Sequence, residues 1–258
     1  AQGFAMPALY GMSATRYQHE FGVTDSQLAA VSVKNHRHGQ YNSRAQHQMT
    51  PTVEEVLGSP MISSPLTLLQ CCSIADAAAA AILRPSGTPG GVRVRSSSLK
   101  SGGLWDQRSE LVWGWQIVAD TSHDAYERAG VCTQDVDVFE VHDAFTIGEI
   151  ITTEALGLAE LGGGGRLVES GHTSIGGSQP VNPSGGLLSR GHPLGATGLA
   201  QIAEIAWQLR GDAGPRQVPN ARLGVVETMG GGTAGIDGNA CVVTVLEAPA
   251  QPKRSAST

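Results

Sequence analysis

The stretch 136–158, VDVFEVHDAFTIGEIITTEALGL, decides the fold. Its first six residues largely alternate apolar with acidic, the period of a strand. From Thr146 the pattern changes to a helix, with Ile147, Ile150 and Ile151 on one face and Thr146 and Glu149 in capping-box register. His142-Asp143-Ala144-Phe145 fills the junction. A strand feeding a helix is the unit of layered α/β folds, and ligands of such folds gather beyond the carboxyl ends of the strands.

Working outward, strands are expected at 92–97, 223–226 and 240–246, and a helix at 121–129. A second helix is expected at 197–209, with Leu199, Ile202, Ala203, Ala206 and Leu209 on an apolar stripe. Toward the N-terminus, Thr24 and Gln27 form a capping box that opens a helix running to His38. Thr50-Pro51 before Glu54 and Glu55, closed by Gly58, marks a short helix with proline in its first turn. The run 77–83 is alanine-rich yet bounded like a buried strand, and periodicity leaves helix and strand both open. Residues 84–91, RPSGTPGG, are the best boundary in the chain. They divide it into 1–90, 91–248 and a disordered tail at 249–258. Gly162–Gly165 reads as a flexible surface loop.

Composition narrows the function. Of 258 residues, 17 are basic and 23 acidic, so the net charge of −6 disfavours nucleic acid or an anionic membrane as partner. No run approaches the roughly 18 apolar residues of a membrane span, and the first twelve residues lack the pattern of a secretory signal. The 34 glycines exceed the usual ~7%, as expected of a chain with many tight turns. Cys71, Cys72, Cys132 and Cys241 have neither metal-site nor disulfide-framework spacing, so they are read as reduced and mostly buried, in the cytoplasm or an organellar matrix.

Three segments could carry chemistry. In 182–198, NPSGGLLSRGHPLGATG, glycine and proline surround His192 in a shaped loop ending at a helix N-terminus, and a neutral imidazole held there can take a proton near pH 7. His142 stands at a strand's carboxyl end, where the N–H groups of the next helix favour a developing oxyanion; helix capping is its plainer role. Thr228-Met-Gly-Gly-Gly232 follows a strand and can line a pocket with backbone, or form a hairpin. Lys34-Asn35-His36-Arg37-His38 reads as a solvated helix face rather than a phosphate-binding patch, because His36 and His38 diverge on a helix.

Together these segments resemble the thiolase superfamily, and within it the sterol-carrier-protein-x and lipid-transfer-protein thiolases. The resemblance rests on KNHRHGQYN (34–42), SPLTLLQCCSIADAAAAAIL (64–83), DVFEVHDAF (137–145), NPSGGLLSRGHPLGATGLAQ (182–201) and WQLRGDAGPRQVPNA (207–221), and runs from about Phe4 to Leu246. It implies a layered α/β/α fold, present here as the C-terminal half plus the end of the N-terminal half. Ala77–Leu83 and Ala240–Leu246 would be the equivalent closing strands of the two halves. The former would have unpaired edges, which invite another chain.

The resemblance implies an acyltransferase acting on acyl-CoA thioesters of lipid or sterol side chains. Coenzyme A thioester is then substrate, with no further cofactor and no metal. His192 would activate a nucleophilic cysteine, since a free thiol of pKa ~8.5 is mostly protonated. His142 would help hold a water or the thioester oxygen while an enolate forms. Phe145, Asn182, Gly191, Thr228, Gly230 and Gly231 would contact substrate. The chain departs from its relatives in three places. The family's nucleophile lies upstream of where this chain begins, and none of its four cysteines matches that motif. Thr228 stands where many thiolases carry a second cysteine, and Ala144 replaces the cysteine of a His-Asp-Cys-Phe motif. The expectation is a homodimer, or a partner subunit that supplies the missing half. An aldolase-type relative, working with a partner protein, or a non-catalytic acyl-CoA-binding subunit are the alternatives; the absence of cysteines at 144 and 228 favours the former, and His142 and His192 argue against it, because such aldolases carry tyrosine at the motif histidines.

Overall fold

The computed structural model describes residues 5–85, 91–231 and 235–249. The chain opens with α1 (Met6–Phe21), α2 (Asp25–Gly39), α3 (Val53–Leu57) and a small antiparallel pair, β1 (Met61–Ser63) and β2 (Leu66–Thr67). Then follow β3 (Arg93–Lys100), α4 (Trp115–Ala129), β4 (Val138–Glu140), α5 (Thr146–Ala155), α6 (Gly164–Glu169), α7 (Gly186–Arg190) and α8 (Thr197–Arg210). β5 (Leu223–Gly230) and β6 (Ala240–Glu247) close the order.

Strand alternation builds the main sheet, ordered β3-β6-β5-β4, with β4 parallel to β5 and the other two pairings antiparallel. One face carries Val225, Cys241, Val243 and Val245 into a core with Ile117, Val118 and Ala125 of α4. The other sends Val138, Val226 and Leu246 against Ile205 and Leu209 of α8. Helix, sheet and helix form the layered α/β/α arrangement that the alternating elements imply. Beyond β4, Phe139 N–H donates to Pro180 O at 2.9 Å and Asn182 N–H to Phe139 O at 2.8 Å. The segment leading into the glycine-rich loop is thereby stitched to the edge of the sheet.

Five expectations need correction. Residues 77–83 form no strand; Ile82 and Leu83 are 86% and 84% exposed, and no described strand lies beside them to take their backbone hydrogen bonds. α8 buries Gln201, Glu204, Ile205, Gln208 and Leu209, while Leu199 is 39% exposed. Its inner face is chosen by polar partners, notably Arg216, whose guanidinium meets Glu204 at 2.9 Å. Thr146 and Glu149 make no capping box, because Glu149 is drawn into a buried ion pair described below. Pro51 precedes the cap residue of α3, where Thr52 and Glu55 make the reciprocal bonds. Gly162–Gly165 is no free loop: Gly162 and Gly164 donate to the buried Glu154 carboxylate at 2.9 and 2.8 Å, and the last two glycines begin α6. Of the expected tail, all but Pro249 lies outside the described residues, as do 86–90 of the boundary. No helix among the described residues is long and apolar enough to cross a membrane.

Gly224 of β5 has room for no side chain: a Cβ there would press into Ile205 Cγ2 of α8 and lie 3.3 Å from Val138 Cγ1. Gly224→Ala should lower stability by about 1–3 kcal/mol through this overpacking, read from the midpoint of urea unfolding.

Candidate functional site

Two turns create the site. In the first, β4 ends at Glu140, and the backbone of Val141 and His142 is caught from both sides. Val141 N–H donates to Asn182 Oδ1 at 2.8 Å, and His142 N–H to Glu227 Oε2 of β5 at 2.9 Å. Asp143 does not cap the helix that follows it. It accepts from Leu187 N–H of α7 at 2.7 Å and from Asn35 Nδ2 of α2 at 2.7 Å. Gly186, at φ +60°, sits so close to this carboxyl that any Cβ would overlap it.

The second turn follows α7. Gly191, at φ +92°, redirects the chain, and a Cβ there would lie 2.5 Å from Gln46 Oε1. His192 N–H then donates to Ser73 O at 2.8 Å, and its Nδ1 lies 2.8 Å from Thr197 Oγ1 at the start of α8. The segment 71–74 braces both turns, since Cys72 N–H also donates to Ala144 O at 2.9 Å. The outcome is an edge-to-face pair of imidazoles, His142 and His192, with ring centroids 4.9 Å apart and planes at 85°. His142 is buried and His192 half-buried.

Burial sets the charge of this pair. Desolvation disfavours the imidazolium and pushes His142 down to about 3, with His192 and Arg190 adding to the effect. His192 is lowered too, by burial and then by Arg190. Both rings are therefore neutral at pH 7, each with one nitrogen able to accept a proton or hydrogen bond. Beneath them Glu227 is pushed up to about 7 by burial. Cys72, whose N–H meets the first turn at Ala144, is pushed up to about 12 by burial and by Asp143. It stays protonated, which makes it a poor nucleophile. All four cysteines are free thiols, Cys241 buried, Cys71 and Cys72 half-buried and Cys132 exposed.

The expected contact residues divide into two groups. Phe145 is buried and stacks on Tyr10 at 4.5 Å, so its ring serves the wall behind the first turn. Asn182, at φ +55°, spends its side chain inside the protein, accepting from Val141 and donating to Glu149 Oε2 at 2.9 Å. Gly191 shapes the turn. These three shape the walls and turns of the site. Thr228 is half-buried near α8, donating to Gln201 Oε1 at 2.6 Å, with the bare Cα of Gly198 facing it. Gly230 and Gly231 are exposed at the end of β5.

What the sequence reading missed is α2. Lys34, Asn35, His36 and His38 are buried, not solvated. Lys34 pairs with Glu149 at 2.9 Å and donates to Val181 O at 2.9 Å. Asn35 Nδ2 bridges Asp143 and Glu149 at 2.7 and 2.8 Å. His38 Nδ1 meets Asn182 O at 3.0 Å while its Nε2 accepts from Ile175 N–H at 3.0 Å, and burial pushes it down to about 3. The signal was available: Leu28, Val31, Asn35 and His38 continue one helical stripe.

Comparison with known proteins bears on this geometry. Residues 101–246 match the model of the Thiolase C-terminal domain-like family. The chain belongs to this thiolase family. Acetyl-CoA acetyltransferase of Methanothermobacter thermautotrophicus is 47% identical over 244 residues, 91% of this chain and 63% of that protein. Sterol carrier protein 2 of Bos taurus is 39% identical, over 88% of this chain and 44% of that protein. Benzoylsuccinyl-CoA thiolase subunit BbsB of Thauera aromatica is 40% identical, over 89% of this chain and 61% of that protein. This thiolase chain thus spans between about two fifths and two thirds of the length of these relatives. Among solved structures, the Ltp2-ChsH2(DUF35) aldolase superposes with a TM-score of 0.79 at 23% identity, covering 94% of this chain and 64% of that one, and shares the fold. A monomeric SCP2-thiolase like protein from Mycobacterium smegmatis superposes at 0.70 and 18% identity, over 96% of this chain and 52% of that one.

Two measurements test the electrostatics. Glu227 binds its proton more tightly folded than unfolded, so between about pH 4.5 and 7 the folded state holds more protons and stability falls as pH rises. Glu227→Gln should abolish that component, and urea midpoints taken across the window should show a shallower decline. Lys34→Ala leaves Glu149 buried without its counter-charge and should cost about 3–5 kcal/mol in the same assay.

Proposed function

We propose that this chain carries the histidine half of an acyltransferase site for acyl-CoA thioesters of lipid or sterol side chains. The single observation supporting the reading is the His142–His192 pair, two neutral imidazoles at 4.9 Å on glycine-shaped turns beyond the end of β4. In this reading His192 receives the proton of a cysteine thiol, and the thiolate attacks the thioester carbonyl. His142, with its backbone clamped by Glu227, holds a water or the thioester oxygen while charge develops there. Burial keeps both rings unprotonated at pH 7, so each has a nitrogen free to accept. The nucleophile comes from outside this chain: Cys72 is held protonated, Cys241 is buried and pushed up further still, and no cysteine stands at 144 or 228.

The same reading assigns a partner. Ile74, Ile82, Leu83 and Leu104 are exposed apolar side chains, and Ile74 is bridged directly to His192. A complementary thiolase segment, in a second subunit or a longer chain, would cover them and deliver its cysteine to the imidazoles. The relatives' greater lengths and the subunit nature of BbsB support this arrangement.

The test is thiolysis of acetoacetyl-CoA by the chain, alone and co-expressed with the N-terminal half of a close relative. Activity is expected only in the second case. There, His192→Ala should cut the rate about 10²–10⁴-fold without loss of assembly on gel filtration. Full activity of the chain alone, or of the His192→Ala assembly, would overturn the assignment.

A further inference from the structure

The ring of His192 is held by the helix that its loop opens. Its Nδ1 lies 2.8 Å from Thr197 Oγ1, in the first turn of α8. That hydroxyl has a second neighbour, Pro193 O at 3.1 Å, four residues back in the usual position for a helical threonine. Thr197 is 1% exposed, so bulk water competes for neither contact. The N–H groups of Ala196 and Thr197 also donate to Pro193 O, at 2.8 and 2.9 Å, and fix that carbonyl over the turn. A carbonyl oxygen only accepts, and a hydroxyl owns one hydrogen. Placed on Pro193 O, that hydrogen satisfies the 3.1 Å contact and leaves the Thr197 oxygen to accept from His192 Nδ1. Placed on Nδ1 instead, it leaves two buried oxygens facing each other with nothing between them. Only the first arrangement meets both contacts. The other ring nitrogen, His192 Nε2, has no hydrogen-bond partner among the described residues.

We infer that Thr197 is a positioning residue: it fixes the neutral His192 ring with its proton on Nδ1 and so makes Nε2 the accepting atom. The bond keeps its direction when the ring takes up a proton, because the imidazolium also carries Nδ1–H. The Thr197 oxygen then faces a charged donor, so the same bond strengthens without any turn of the ring. In the opposite tautomer Nε2 would present N–H where a lone pair is required. That Nε2 receives a thiol proton rests on the acyltransferase reading above; the tautomer itself does not.

The experiment is nitrogen NMR of the full chain carrying isotopically labelled histidine, at pH 7 and above, where the ring is neutral. Long-range proton–nitrogen correlations separate a protonated from a bare ring nitrogen, and the His192 signals are those lost in His192→Gln. The unaltered chain should show N–H at Nδ1 and a bare Nε2. Thr197→Val, of nearly the same shape, should move the proton wholly or partly to Nε2, the position that a histidine side chain favours in water. Thr197→Ser should restore it to Nδ1. In the assembly with the N-terminal half, Thr197→Val should lower kcat about tenfold at unchanged KM, the worth of one charge-assisted hydrogen bond, and Thr197→Ser should recover it. A proton on Nε2 in the unaltered chain overturns the inference, and that measurement needs no variant to fold. A tautomer indifferent to Thr197→Val, or one that moves with no loss of rate, overturns it as well. If the tautomer is as inferred and every assembly is inactive, the bond to Thr197 stands and the acyltransferase reading falls.

Discussion

Everything at this site hangs on the buried pairing of Lys34 with Glu149. A lone carboxylate in the interior would be prohibitively costly, and two of them, Asp143 and Glu149, stand within reach of one asparagine amide. Burial and Glu149 together hold the Asp143 carboxyl well above its usual range. Lys34 supplies the compensating charge, and in doing so ties α2 to α5 and to the Val181 carbonyl. Asn35 then reaches the first turn, and Asn182 reaches Glu149 from the segment that leads into α7. The two histidines make almost none of these bonds themselves. They are placed by a polar scaffold that links four segments far apart in sequence.

That scaffold also explains what could be read in the residues alone. The strand-to-helix transition at His142 and the glycine-rich approach to His192 were legible because each is local: a change of period, a cluster of residues permitting unusual backbone. The elements β3 to β6 and α4, α5 and α8 follow from the same kind of signal, with shifts of a few residues at their ends. The inward role of α2 was not legible as charge, because Lys34 and His38 have the composition of a solvated face. Only the burial of distant carboxylates turns them inward. The same holds for α8, where Glu204 and Gln208 lie inside because Arg216 and Val218 wait for them.

The misread strand at 77–83 has a different cause. Its composition suits an interior position, and among the described residues no strand pairs with it. Pairing is a property of two segments, and a sequence pattern reports on only one of them. Ile74 still pairs with His192, while Ile82 and Leu83 further along are exposed. Asn182, expected from its motif to contact substrate, has its side chain bonded to Val141 and Glu149, which the motif alone does not reveal.

The perpendicular stacking of the two imidazoles has a dynamic corollary. With the face of one ring against the edge of the other at 4.9 Å, neither can swing about its Cβ–Cγ bond without shouldering its neighbour aside. Reorientation becomes a concerted event, slower than the picosecond-to-nanosecond hops of an isolated surface ring. A turn of either ring therefore displaces the edge or face against which the other rests.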